Sequence, residues 1–314
     1  MKDEAGMTEP ERQTVAKDSP DVWTVGRLLT WTTDWLASRG SESARLDAEV
    51  LLAAVRGCQR IMLYTAFDEP VDEVQRGQFR DLVRRRGDGE PVAYLVGKRE
   101  FFSLDFKVTP ATLIPRPETE GIVVRLLDIC RQRGDAVANP RVIDVGTGSG
   151  AVAITLAKHL PTARVVATDC SEEALAVAAV NVEHHGVGDR VQLVACDLLD
   201  HPATAGSWDV IVSNPPYVRE DEFNQLAPDV RLHEPRQALV GGPTGCEVIE
   251  RLLPAAASRL AAGGWLLVEV GPSTAERAAA LVATTPGLVA EPTLLDAAGL
   301  PRIIQARADG SACP

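Results

Sequence analysis

Asn214, Pro215, Pro216 and Tyr217 follow directly on the aliphatic run Asp209 to Ser213, and their types suit one kind of chemistry. The run reads as a buried strand. Two consecutive prolines remove two backbone donors and fix two φ angles, so the chain must leave that strand in one rigid, extended course with its carbonyls free. At the carboxyl end of a parallel strand such carbonyls face a ligand crevice. Asn214 adds a side-chain oxygen acceptor and Tyr217 a flat ring. Together they describe a slot for a planar NH2 group whose two hydrogens go to Asn214 and to the Pro215 carbonyl while the ring covers one face. The nitrogen lone pair is left to face an electrophile. A delocalised amide or aromatic amine is activated in such a slot by orientation and electrostatics instead of by a base. The scheme needs no metal and no catalytic histidine, and it gives His184, His185, His201 and His233 no role.

The electrophile is suggested upstream. In "VIDVGTGSGAVAITLA" the residues Gly146, Thr147, Gly148, Ser149 and Gly150 lie between a strand and a helix, where backbone can approach a ligand without a Cβ in the way. A tight turn without any ligand would look the same. Asp169, about twenty residues further on at the end of the next strand, is placed to accept both hydroxyls of a ribose. A dinucleotide and S-adenosylmethionine both fit this pair of signals. Asp144, just before the glycines, would repel a pyrophosphate but suits the ammonium of a methionine moiety, which favours the methyl donor. Asp197 can accept from an adenine amine, with Leu198 as an apolar wall. A plain surface-loop acid is an equal reading of Asp197.

These residues need a frame. After Pro140 short aliphatic runs alternate with amphipathic helices: "RVIDV", "RVVATD", "VQLVACD", "WDVIVS" and "GWLLVEV". That rhythm predicts a mainly parallel sheet covered on both faces, with "PRIIQARA" as an edge strand. Ahead of it, residues 1–20 are polar and predict a disordered tail. Residues 21–91 predict a helical domain, with one stripe through Leu46, Val50, Leu51, Leu52 and Val55 and another through Val71, Val74, Phe79, Leu82 and Val83. Arg84, Arg85 and Arg86 then read as a solvated helix end before the stop at Gly87. Residues 92–116 predict a hairpin and linker, and 117–314 the donor-binding domain.

The composition narrows the partners. A length of 314 residues, 45% of them hydrophobic, gives two domains each a core, and only 4% aromatic residues makes that core aliphatic. A net charge of −12 disfavours stable, sequence-independent nucleic-acid binding. The six cysteines contain no C-x-x-C pair and read as reduced, buried small hydrophobes. No leader or membrane span is apparent, so a cytoplasmic protein is expected.

"NPPY" with "DVGTGSG" resembles the amino-methyltransferases, and "LDAEVLL", "GEPVAYLVGKREF", "LIPRPETE", "HEPRQALVGG" and "GLPRIIQAR" resemble their release-factor glutamine methyltransferase branch, often called PrmC or HemK. The similarity runs from Val22 to Arg307. It implies an α/β, Rossmann-like class I methyltransferase fold, a mostly parallel seven-stranded sheet with one antiparallel strand, behind a small N-terminal helical domain. It implies S-adenosylmethionine as the donor, and as substrate the amide nitrogen of the glutamine in the Gly-Gly-Gln motif of class 1 peptide chain release factors. It also implies that the leader helices dock the release factor and that Arg116, Thr119 and Glu120 lie near the cleft. A monomer is expected. Leu198, where the family commonly has an aromatic residue, and Thr274, where a glutamine is common, depart from the pattern. A ribosomal-protein glutamine methyltransferase, a nucleic-acid amino-methyltransferase and a non-catalytic binding protein are the alternatives. The acidic charge counts against the second, and the intact slot against the third.

Overall fold

The computed structural model describes residues 22–133 and 139–309. The expected tail at 1–20 and the sixth cysteine, Cys313, lie outside them. The chain divides into two compact units between Asp88 and Gly89, three residues before the expected boundary.

The first unit contains α1 (Val25–Ser38), α2 (Ala44–Arg56), α3 (Met62–Thr65) and α4 (Glu73–Gly87). Thr24 and Asp72 cap the first and last of these, accepting from the backbone N–H groups of Arg27 and Gln75 at 3.3 and 2.8 Å. Gly57, left-handed at φ 61°, ends α2. The expected stripes are buried at Leu51, Leu52, Val71, Phe79 and Val83, with two exceptions and two additions. Leu46 and Val74 are exposed, while Asp47 and Glu49 are buried on the inner face of α2. Buried carboxylates need partners, and these have them. Asp47 accepts from the hydroxyls of Ser41 and Ser43 and from Nε of Arg86, all at 2.8 Å. Glu49 accepts from Arg45 and Tyr64. Arg86 is therefore a core cation, not part of a solvated helix end.

The second unit begins with α5 (Val92–Val96) and a hairpin of β1 (Lys98–Phe101) and β2 (Leu104–Lys107). Both turn residues, Phe102 and Ser103, are left-handed at φ 51° and 60°, which matches the strand twist of a two-residue hairpin loop. The hairpin belongs to this unit: Phe101 and Phe106 join its core. After α6 (Glu120–Arg133) come β3 (Arg141–Val145), α7 (Ala151–His159), β4 (Arg164–Asp169), α8 (Glu172–His185), β5 (Val191–Ala195) and β6 (Trp208–Ser213). A small excursion follows: β7 (Val218–Arg219), α9 (Pro228–His233), α10 (Arg236–Leu239) and β8 (Val240–Gly242). The described residues close with α11 (Glu247–Ala257), β9 (Leu260–Glu269), α12 (Ala275–Thr284), β10 (Leu288–Leu295) and β11 (Pro301–Ala308).

Seven strands form one sheet in the order β10-β11-β9-β6-β3-β4-β5. The pairs from β9 through β5 are parallel, and β11 runs antiparallel to both neighbours. The segment "PRIIQARA" is thus an inner strand. The edge on that side is β10, which carries exposed Val289 and polar residues and so lacks the clean aliphatic run that marks a strand in sequence. Alternation sends Ile143, Val145, Ile211 and Val268 to α11 and α12, and Val142, Val210, Val212 and Leu267 to α6, α7 and α8. Two apolar faces fix the register and leave only the strand ends for polar work. Of the described cysteines Cys246 is buried as expected, but Cys170 is exposed.

Candidate active site

A cavity of about 400 Å³ opens at the carboxyl ends of β3, β4 and β6. Its walls are the Gly146–Ser149 turn, Asp169, Asp197 and Leu198, and Ser213 through Pro216, with Thr119 on the far side. Gly146 and Gly148 have φ of 73° and 57°, and a Cβ on either would meet no protein atom within 4 Å. Here glycine is required by backbone conformation, and the space it leaves belongs to the cavity. Asp169 fixes that turn: Oδ2 accepts from the Gly148 N–H and Oδ1 from the Ser171 N–H, both at 2.9 Å. Asp144 is buried under it, accepting through Oδ2 from the Thr147 hydroxyl at 2.7 Å and the Ala153 N–H at 3.1 Å. Burial pushes its pKa up to about 6 despite those two hydrogen bonds, and Asp169 adds to the rise.

The tetrapeptide is held from behind. Ser213 Oγ donates to the Val145 carbonyl at 2.8 Å, tying the ends of β6 and β3. Asn214 Nδ2 donates to Thr119 Oγ1 at 3.1 Å, which directs the amide nitrogen away and leaves Oδ1 as its unused acceptor. Tyr217 is not where a covering ring would be. It lies outside the residues that line the cavity, its hydroxyl 3.3 Å from Glu269 Oε1 and its ring against Gly271. Tyr217 is thus turned to Glu269 and Gly271 and not to the cavity, unlike the covering ring expected from the sequence.

Two glycines bring another segment against this stretch. A Cβ on Gly241 would stand 2.3 Å from the Pro216 carbonyl oxygen, and one on Gly245 2.5 Å from that of Tyr217. Both obstacles are backbone, so Gly241→Ala must displace Pro216. We expect that variant to lose about 1–3 kcal/mol of stability, as overpacked sites do, and to lose turnover at temperatures where it is still folded. Thermal unfolding alongside an activity assay checks both.

Of the residues that the resemblance places near the cleft, Thr119 lines the cavity, but Arg116 and Glu120 do not. Arg116 pairs with buried Glu234, which also accepts from the Ile114 N–H at 3.1 Å. Glu120 accepts from the Phe102 N–H at 2.9 Å and so pins the hairpin turn. Asp197 lines the cavity and forms an ion pair with Arg251 through Oδ2. Leu198, left-handed at φ 50°, lines it as well. Thr274 is buried, its hydroxyl on the Gly271 carbonyl at 3.1 Å. His185 and His201 bond backbone groups, and no histidine lines the cavity. Among the described residues no cluster of three or more His, Cys, Asp or Glu is arranged to hold a metal.

Glu269 and Glu234 were not anticipated as site residues. The signal for Glu269 was present: "LLVEV" carries an acid at the carboxyl end of a strand, as "RVIDV" and "RVVATD" do. Burial by its neighbours pushes its pKa up to about 7, which hydrogen bonds from Thr119 and Tyr217 only partly offset.

Residues 27–97 match the family model described as the PrmC N-terminal domain, and residues 126–242 the one described as the methyltransferase small domain. A protein of Rhodopirellula baltica named release factor glutamine methyltransferase is 48% identical over 289 residues, covering 92% of this chain and 97% of its own. One of the same name from Geobacter sulfurreducens is 42% identical over 290 residues, covering 92% and 99%. Among solved structures, the hMettl16 catalytic domain in complex with MAT2A 3'UTR hairpin 6 superposes with a TM-score of 0.52 over 73% of this chain and 82% of that one. At 18% identity this is a likeness of fold alone.

Proposed function

The chain belongs to the release factor glutamine methyltransferase family, and from that premise we propose that its cavity binds S-adenosylmethionine and directs the methyl group to the side-chain amide nitrogen of a class 1 release factor's Gly-Gly-Gln glutamine. The observation that carries this is the orientation of Asn214: with one Nδ2 hydrogen given to Thr119, Oδ1 is left as an acceptor, and an acceptor there suits an NH2 donor. The donor supplies an electrophilic methyl on a sulfonium. The residues of the chain hold the substrate amide by its hydrogens, at Asn214 Oδ1 and the Pro215 carbonyl. They thereby aim the nitrogen and favour its pyramidal, nucleophilic form. The new bond joins nitrogen to the methyl carbon, the carbon–sulfur bond breaks to a thioether, and the surplus amide proton leaves to solvent.

The rest of the cavity suits the donor. Asp169 keeps lone pairs for a ribose, Asp197 Oδ1 for an adenine amine with Leu198 against the ring, and Asp144 for the ammonium. In the leader, Ile61, Met62, Tyr64 and Phe67 are exposed within seven residues, an apolar run of the kind that docks a protein. That supports release-factor docking by the first unit. Action in the cytoplasm as a monomer completes the proposal; among the described residues no helix is long and apolar enough to cross a membrane.

A labelled methyl-transfer assay offering purified release factor, ribosomes and DNA side by side tests it. Label is expected in the release factor, on glutamine. Label in ribosomal protein or in DNA alone would overturn the substrate assignment.

Asp144 gives a pH test of the donor site. Its carboxyl titrates near 6 in the free protein, and a bound ammonium favours the ionised form, so binding at lower pH must release a proton. Donor affinity should fall about tenfold between pH 7 and pH 5. Calorimetry across that range should show the slope for the parent and a flat profile for Asp144→Asn.

A further inference from the structure

Asn181, on α8, is 1% exposed, and its side-chain amide spans two segments that the sequence sets far apart. Oδ1 accepts from the Lys107 N–H at 2.8 Å. Nδ2 donates to the Lys107 carbonyl at 3.0 Å and to the Ser149 carbonyl at 2.8 Å. A primary amide has one carbonyl oxygen and two N–H hydrogens, so these bonds engage all three groups. Toward β2 the amide acts as a neighbouring strand would, pairing with both backbone groups of one residue. Toward the cavity it grips the turn between β3 and α7, where Ser149 lines the wall. We propose that Asn181 is a positioning residue for the methyl donor, holding the donor-facing turn in shape through the Ser149 carbonyl.

The peptide joining Ser149 to Gly150 is fixed at both of its polar groups. Its N–H donates to the Thr147 carbonyl at 2.9 Å, and its carbonyl accepts from Asn181. The two residues before it are tied by other groups: Asp144 accepts from the Thr147 hydroxyl, and Asp169 from the Gly148 N–H. Each of the three residues from Thr147 to Ser149 thus has an anchor of its own, and Asn181 supplies the last. Asp144 and Asp169 line the cavity, whereas Asn181 does not, so its influence on a ligand passes entirely through the turn. Without the amide, the Ser149 carbonyl is a buried acceptor lacking its donor, and rotating the peptide toward a new donor is the way to recover the loss. That rotation spoils the shape the ligand meets, and restoring it is then charged to binding. The slot at Asn214 and Pro215 makes none of these bonds, so the transfer step itself should be spared.

A second contact between α8 and the hairpin provides a control. The Nε2 atom of His185 lies 2.9 Å from the Asp105 carbonyl and does not reach the turn. Loosening the hairpin there should leave the donor site as it is.

This inference rests on the methyl-donor reading of the cavity. Titration calorimetry with S-adenosylmethionine, and single-turnover methylation of release factor at saturating donor, are measured on the full chain for the parent, Asn181→Ala, Asn181→Asp and His185→Ala. Thermal unfolding sets a temperature at which each is folded. Asn181→Asp keeps the shape and an acceptor for the Lys107 N–H but, as a carboxylate, has no hydrogen for Ser149. Both Asn181 variants should bind the donor roughly tenfold more weakly, the fold-change expected when a buried acceptor is left unsatisfied. Their rates at saturating donor should stay near the parent's, and His185→Ala should bind the donor as the parent does. Unchanged donor affinity in a folded Asn181→Ala overturns the inference. So does an equal loss of affinity in His185→Ala, which would trace the effect to hairpin docking, and so does a loss confined to the rate. Asn181 variants that fold at no temperature would make the residue a packing group and overturn it as well. A parent that binds no S-adenosylmethionine defeats the proposed function itself, a result distinct from all of these.

Discussion

Asn214→Ala should slow single-turnover methylation about a hundredfold while donor binding and folding stay near the parent's. The side chain provides one of two preorganised acceptors for the substrate NH2, and loss of one such group is worth ~3 kcal/mol by analogy with deleted oxyanion-hole donors. Little else moves: Asn214 is half-buried, Ser213 still ties β6 to β3, and Pro215 and Pro216 keep their course. Removing the amide costs Thr119 Oγ1 one donor. Asn214→Asp is the sharper comparison. It preserves shape and an acceptor, but it sets a carboxylate against Thr119 and near the sulfonium, where it can stabilise the ground state of the donor instead of the transition state. Turnover of Asn214→Ala within threefold of the parent, with the donor bound normally, would mean that the substrate nitrogen is held elsewhere.

Asp169→Ala should weaken donor binding by roughly ten- to a hundredfold, the ~1.5–3 kcal/mol typical of a hydrogen bond to a charged acceptor. Two losses combine. The carboxylate no longer meets the ribose, and the N–H groups of Gly148 and Ser171 lose the acceptor that shapes the turn around the ligand. The core should survive, because Asp169 is the last residue of β4 and the aliphatic positions before it are untouched. Titration calorimetry with the donor measures the change. Unchanged affinity would reject the ribose assignment.

The parts of this site that were legible in the sequence are those whose chemistry is local. A proline pair after an aliphatic run, glycines between strand and helix, and acids ending strands each state their constraint within a few residues. What was hidden depends on residues far along the chain. The direction of the Tyr217 ring is set by Gly271 and Glu269, and the use of Arg116 by Glu234, and no local pattern announces either. In the leader, helical spacing pointed to Leu46 and Val74, but the inner face of α2 is partly ionic, and a hydrophobic stripe cannot reveal an Asp47 whose partner, Arg86, lies on α4. The strand at the sheet edge escaped notice because one of its faces is solvated and its alternation is diluted by Glu291, Pro292 and Thr293.

The contact of Gly241 and Gly245 with the carbonyls of Pro216 and Tyr217 also bears on how this enzyme can change over generations. Those atoms come from segments well separated in the chain, yet neither glycine can gain a methyl group without moving the carbonyl it faces. A recombinant that takes residues 214–217 from one parent and 240–245 from another will work only where both parents share this interlock. The two segments must therefore be inherited together, and a junction placed between them should separate functional from inactive chimaeras more sharply than one placed in the β9–α12 turn.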